Sequence, residues 1–183
     1  MKFEIPFDEQ IFKEQMNLNF NTAWNDNLKK NKKQLIWGIP MILLGGLIVY
    51  GENYLGFLFI AIGLQYLINF LNYNSHYKKT KQKLSELIES EVDGQKKANE
   101  NCIWEFNEDH FRYKDYRFEG KIKWESFQKT RVVENNLFMD LNVGYHLSYI
   151  LGEKEVGTED FKKITEFVKN KIGNKTSAQH RLL

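Results

Sequence analysis

The sequence predicts an α+β protein: a transmembrane helical hairpin at residues 35–71 and an antiparallel β domain at 99–173, closed by a C-terminal helix. Two observations carry this. Between Leu35 and Leu71 only Glu52 is charged, in a chain that is 27% charged overall. After Asn101 the apolar residues recur at every second position, the period of half-buried strands. At 183 residues the chain can hold one compact domain and an appendage. The remaining segments read as a short strand and amphipathic helix leading to the membrane (1–34), a helix leaving it (72–98) and a flexible tail without apolar periodicity (174–183).

The hairpin comes from two runs, LIWGIPMILLGGLIVY from Leu35 to Tyr50 and YLGFLFIAIGLQYLINFL from Tyr54 to Leu71. As helices they would be about 24 and 27 Å long, slightly short for a ~30 Å hydrocarbon core. A hairpin buried in a soluble core and a shallow re-entrant insertion are the alternatives. Spanning is favoured by the flanks: Lys29, Lys30, Lys32 and Lys33 precede the first run, and Lys78, Lys79, Lys81 and Lys83 follow the second. The connector Gly51-Glu52-Asn53 carries no positive charge, which places the turn outside and both termini in the cytoplasm. The expected location is therefore the cytoplasmic (inner) membrane, as a multi-pass protein. Trp37 and Tyr73 are expected at the inner interface, and Tyr50 and Tyr54 at the outer one. Gly38 with Gly45, and Gly56 with Gly63, are each spaced nearly two turns apart and mark faces where helices can approach, within the hairpin or between oligomer subunits. Pro40 is expected in the first turn of its helix, and Gln65 and Asn69 in interhelical hydrogen bonds.

Lys2 to Phe7 alternates as a short strand that could join the edge of the β domain. Asp8 is a plausible N-cap for a helix with Phe12, Met16, Phe20 and Trp24 on one face. Tyr73, Tyr77, Leu84, Ile88 and Val92 make a comparable stripe after the hairpin. In the β domain the alternating sets are Cys102/Trp104/Phe106, Phe111/Tyr113, Tyr116/Phe118, Ile122/Trp124, Val132/Val133, Leu137/Met139/Leu141 and Tyr145/Leu147/Tyr149/Leu151. Turn signals separate them at Asn107–Asp109, Asp115, Gly120, Asn135-Asn136, Asn142–Gly144 and Gly152. Thr158 caps the closing helix, whose buried stripe is Phe161, Ile164, Val168 and Ile172 and whose end is Gly173.

A curved antiparallel barrel or sandwich closed by one amphipathic helix is similar to the pleckstrin-homology architecture. The two-run hairpin followed by Trp124-Glu125-Ser126-Phe127, Val132-Val133-Glu134, Leu137-Phe138-Met139, Tyr149-Ile150-Leu151 and Phe161 resembles the YcxB-like family of bacterial membrane proteins. The resemblance implies a membrane location and a pleckstrin-like C-terminal domain. It implies no particular activity.

Candidate chemistry is sparse. No phosphate-binding loop, dinucleotide fingerprint, HExxH, CxxC or GxSxG pattern occurs, so an enzyme is not expected, nor any cofactor. His110 and His146 could meet across the sheet with Asp109 or Asp140, but solvated strand histidines explain them better and no metal is expected. Cys102 lies on an apolar face; as the single cysteine it forms no internal disulfide and suits a reducing compartment. Met1 to Phe20 is too polar for a signal peptide. The most suggestive polar feature is the run Arg112, Lys114, Arg117, Lys121, Lys123, Lys129 and Arg131, expected opposite the core aromatics and so solvated. Residues 99–173 hold twelve Lys and Arg against fourteen Asp and Glu, a net −2 that argues against nucleic acid.

The expected partners are membrane lipids, met by the eight flanking lysines or by the basic strands, and an unidentified membrane or cytoplasmic protein. The expected role is a non-enzymatic, membrane-anchored interaction module. An accessory subunit acting through its membrane helices is the alternative.

Overall fold

The computed structural model describes residues 1–142 and 148–173. The protein is α+β, with two long apolar helices and antiparallel sheets. Its chain divides into two compact units: Leu18–Ile88, and Met1–Asn17 together with the chain from Glu89 onward. The expectations for Tyr145, Leu147, His146 and the tail lie outside the described residues.

In the larger unit β1 (Lys2–Ile5) pairs antiparallel with β2 (Cys102–Phe106), with Phe3 opposite Trp104. The N-terminal amine closes this pairing by donating to the Phe106 carbonyl at 2.9 Å. Adding β3 (His110–Lys114) and β4 (Glu119–Lys123) gives a four-stranded sheet in sequential order. A second sheet joins β5 (Phe127–Val133), β6 (Asn136–Leu141) and β7 (Ser148–Gly152). Between β1 and β2 lie two helices, α1 (Glu9–Tyr50) and α2 (Gly56–Ala98). After β7 come one turn of helix, α3 (Glu153–Val156), and the amphipathic α4 (Thr158–Gly173).

Period-two alternation places Trp104, Phe106, Phe111, Leu137, Met139 and Leu151 on inner faces, where Phe161, Ile164, Val168 and Ile172 of α4 join them in one core. Phe111 is fully buried, with its ring within 5.1–6.3 Å of those of Trp104, Phe106, Trp124, Phe127 and Tyr149. Aromatic pairs at these separations add to the area they bury.

Four sequence expectations need correction here. Tyr116 and Phe118 sit in a turn, because the Asp115 carboxylate accepts the backbone N–H of Arg117 and Phe118 at 2.8 and 2.7 Å and bends the chain. Gly120 is not a turn but a strand residue opposite Tyr113; the Phe118 ring occupies the space a Cβ there would need. Trp124 lies in a 3-10 turn, Trp124–Ser126, where its indole N–H donates to the Asn107 carbonyl at 2.9 Å. The β5–β6 turn is at Glu134-Asn135, both with positive φ, rather than at Asn135-Asn136. Paired left-handed residues match the twist of the strands they join.

In the smaller unit the two helices lie antiparallel, joined by the turn Gly51–Leu55. Asn31 Nδ2 donates to the Phe70 carbonyl at 3.3 Å, and Trp24 packs on Tyr73 and Tyr77. Pro40 is inside α1, not in a first turn, since α1 runs unbroken from Glu9. Its missing N–H leaves the Ile36 carbonyl without that helical partner. Leu35 and Leu71 mark changes of composition, with no break in either helix.

Candidate membrane-binding surface

The surface is built from the way the two helices meet. A Cβ on Gly45 would come within 2.6 Å of the Gly56 carbonyl and 2.7 Å of the Ile60 side chain. One on Gly63 would meet Ile42 at 2.6 Å and the Gly38 carbonyl at 2.8 Å, and one on Gly38 would meet Tyr66 Cβ at 3.1 Å. Gly38, Gly45, Gly56 and Gly63 thus lie in the seam of one hairpin, where only hydrogen fits. The same faces are not open for contact with a second copy.

Because glycines fill the seam, the large apolar side chains point outward. Ile36, Trp37, Leu43, Leu47, Leu55, Phe57, Leu58, Ile68 and Leu71 are all exposed, as are Tyr50 at 90% and Tyr54 at 86%. Only 11% of the most apolar stretch of each helix is buried. A core helix of a soluble domain would have these side chains covered. Exposed apolar area on this scale marks an interaction surface. Both helices are long and apolar enough to cross a membrane.

Two polar expectations change with this geometry. Gln65 and Asn69 do not bond across the seam; Gln65 Nε2 donates to Asn69 Oδ1 at 3.0 Å along α2, and both are exposed. Tyr73, expected near the inner interface with Trp37, packs half-buried on Trp24, with ring centroids 5.6 Å apart. The aromatic residue exposed near Trp37 is Tyr66, which the sequence reading passed over as an ordinary member of an apolar run.

Lys29, Lys30, Lys32, Lys33, Lys78, Lys79, Lys81 and Lys83 are all exposed. Among the described residues none of the eight enters an ion pair. Between Leu18 and Lys33, and between Ile68 and Lys83, the one carboxylate is Asp26. Eight unpaired cations in that setting form a strongly positive field.

The basic run of the β domain is different. Arg112 is bridged to Glu105 at 2.9 Å and Glu119 at 2.8 Å. Its guanidinium holds both carboxyls below the usual carboxylate range. Arg117 pairs with Glu91 and lies over the Tyr116 ring. Asp140, itself buried, takes Arg131 at 3.1 Å and Lys129 at 3.8 Å. Arg112 and Arg131 are half-buried rather than freely solvated, which corrects the expectation for them. Lys114, Lys121 and Lys123 enter no ion pair among the described residues, and Lys114 is half-buried. The interspersed Asp115, Glu119 and Glu125 weaken this patch already in the sequence, and Glu119 does pair with Arg112. Glu105 is the carboxylate that spacing alone does not reveal, because the tight β2–β3 hairpin around Asn107–Asp109 sets it opposite Arg112.

Reactive groups are quiet. Burial pushes the Cys102 thiol up, and the Tyr113 hydroxyl donates to its sulfur at 3.9 Å. His110 Nε2 faces the Asn107 amide at 3.2 Å, and Asp140 is occupied by Arg131 and by the Ser148 hydroxyl. Glu155, held at the start of α3, accepts from Gln15 Nε2 and from the Gly152 N–H, each at 2.5 Å, while burial raises its carboxyl. These contacts join the first turns of α1 to α3. No family model, curated protein or solved structure matches the chain.

Proposed function

We propose that this protein is a non-enzymatic, membrane-anchored interaction module, with the hairpin spanning the cytoplasmic membrane twice and both termini inside. The observation that carries the reading is the outward-facing apolar hairpin, whose exposed belt runs directly into unpaired lysines. Lipid matches the first and anionic headgroups the second, at about 1 kcal/mol per lysine near a charged surface. Four-plus-three antiparallel strands closed by one helix support a pleckstrin-like β domain of the YcxB-like kind. That domain, with its basic run mostly paired to its own carboxylates, is offered to a protein partner rather than to a headgroup.

The test is carbonate extraction and protease protection of the full-length chain in bacterial membranes. The anchored chain resists carbonate, and cleavage from the cytoplasmic face reaches both ends and spares the hairpin. Replacing the eight lysines with glutamine should leave the chain carbonate-resistant while mixing its orientations. Release of the unaltered chain by carbonate would refute the anchor.

A further inference from the structure

The bilayer this hairpin fits is set by where its polar side chains begin, and the pairing of the two helices decides that more narrowly than either run alone. Asn31 meets Phe70, Gly38 meets Gly63, and Gly45 meets Gly56. These contacts hold one antiparallel register along the hairpin, in which Asn69 is level with Lys32, Gln65 with Ile36 and Tyr66 with Leu35. The last six residues of the second apolar run therefore stand beside the lysines of the first helix. That accounts for the exposed Gln65–Asn69 pair, which lies at the height of charged groups and not in hydrocarbon. The belt free of polar side chains on both helices extends only from Trp37 to Tyr50, and from Tyr54 to Leu64. At ~1.5 Å per residue it is about 20 Å tall.

We infer that the hairpin's lipid partner is a thin bilayer, with hydrocarbon about 20 Å deep where the hairpin sits rather than the ordinary ~30 Å. The inference rests on the anchoring reading above and adds the thickness of the membrane. A span that is too short gains nothing by tilting, which shortens it further; it must thin the bilayer, extend its flanks or associate. On the inner side Lys29, Lys30, Lys32 and Lys33 can extend their stems toward the headgroups. The outer side has no such device, because Gly51-Glu52-Asn53 offers a short charged turn between Tyr50 and Tyr54. The glycine faces are already used within the hairpin, so helix association through them does not relieve the mismatch. Local thinning, or residence in a bilayer of short acyl chains, is what remains.

The experiment is cell-free synthesis of the full chain beside vesicles of monounsaturated phosphatidylcholine with a constant fraction of phosphatidylglycerol. Acyl chains of fourteen, eighteen and twenty-two carbons are compared, and the carbonate-resistant fraction is measured. Insertion should be greatest in the fourteen-carbon vesicles and fall about tenfold in the twenty-two-carbon ones. A second variant carries four leucines inserted between Val49 and Tyr50 and four between Tyr54 and Leu55. It lengthens both helices at their outer ends, keeps the glycine register, and should move the maximum to eighteen carbons. Equal insertion at all lengths, a maximum at eighteen or more for the natural chain, or an unmoved maximum for the longer one overturns the thin-bilayer inference and leaves the anchor standing. No insertion into any vesicle overturns both.

Discussion

The two units solve opposite packing problems with similar residues. In the unit built on the two sheets, large apolar side chains converge and each of the described arginines, Arg112, Arg117 and Arg131, finds a carboxylate; Phe111 is fully buried and Arg112 is clamped between Glu105 and Glu119. In the hairpin unit the small residues converge, the large ones face away, and eight lysines stand without ion pairs. A folded domain surrounded by water hides its apolar area and satisfies its charges within itself. The hairpin leaves both for its surroundings to satisfy. The difference is the one that the proposed membrane anchor requires: the sheet unit carries its own core, and the hairpin unit leaves its apolar belt for another phase to cover.

The sharpest way to break that comparison is to truncate one large apolar residue in each unit. Phe111→Ala should cost about 3–5 kcal/mol, by loss of buried area and by the cavity left among five rings. Leu47→Ala, at a side chain 70% exposed, should cost no more than about 0.5 kcal/mol in detergent. Thermal unfolding of the full-length chain in mild detergent reads both. Equal losses would mean that Leu47 is covered by protein.

The hairpin seam contains its own control. Gly45→Leu forces a side chain into the Gly56 backbone and should destabilise the helix pair by about 1–3 kcal/mol. Gly46→Leu, one residue on, meets nothing within 4 Å and should be neutral. Helix loss on heating, followed by circular dichroism, distinguishes them. Indistinguishable variants would mean that the helices do not approach along this seam.

The smallest expected effect is electrostatic. Glu9 sits between Lys13 and Lys96, whose hydrogen bonds hold its carboxyl down at about 2, from an ordinary 4.5. A carboxyl lowered in the folded state contributes stability that is complete above pH 4.5 and is lost as the pH falls through 2. Glu9→Gln should therefore lose this small contribution at neutral pH and flatten the acid-side slope in that window, so that the two proteins converge below pH 2. Added salt should shrink the difference, because the pairs lie at the surface within reach of solvent ions. An unchanged acid slope in Glu9→Gln would show that these pairs are not formed in solution.

Much of this architecture was legible because it depends on periodicity. Alternation located the strands and most of the core, and the 3.6-residue stripe of Phe161, Ile164, Val168 and Ile172 located α4, although Thr158 is its first helical residue and donates its hydroxyl to Glu153 instead of capping the helix. Local chemistry explains several misses: the Asp115 side chain turned a stretch that alternates, and Phe118 took the space above Gly120 so that a glycine read as a turn is a strand residue. Helix is expected on both sides of Leu35 and of Leu71, and each pair of segments runs on as one helix because composition changes there while helix propensity does not. The glycine spacing was visible, but its use inside the hairpin was not, since spacing says that a face is narrow and not what comes to it.

By itself the sequence determined that a charge-poor hairpin with basic flanks interrupts an antiparallel β protein closed by a helix, because hydropathy, charge and period are properties of the chain. Only the tertiary structure decided that β1 and β2 pair across the whole hairpin, that the glycines meet one another, and that Arg112, Arg117 and Arg131 of the basic run meet carboxylates while the flanking lysines do not. Each of these depends on which residues become neighbours after long loops close, and side-chain period carries no record of a partner in another segment.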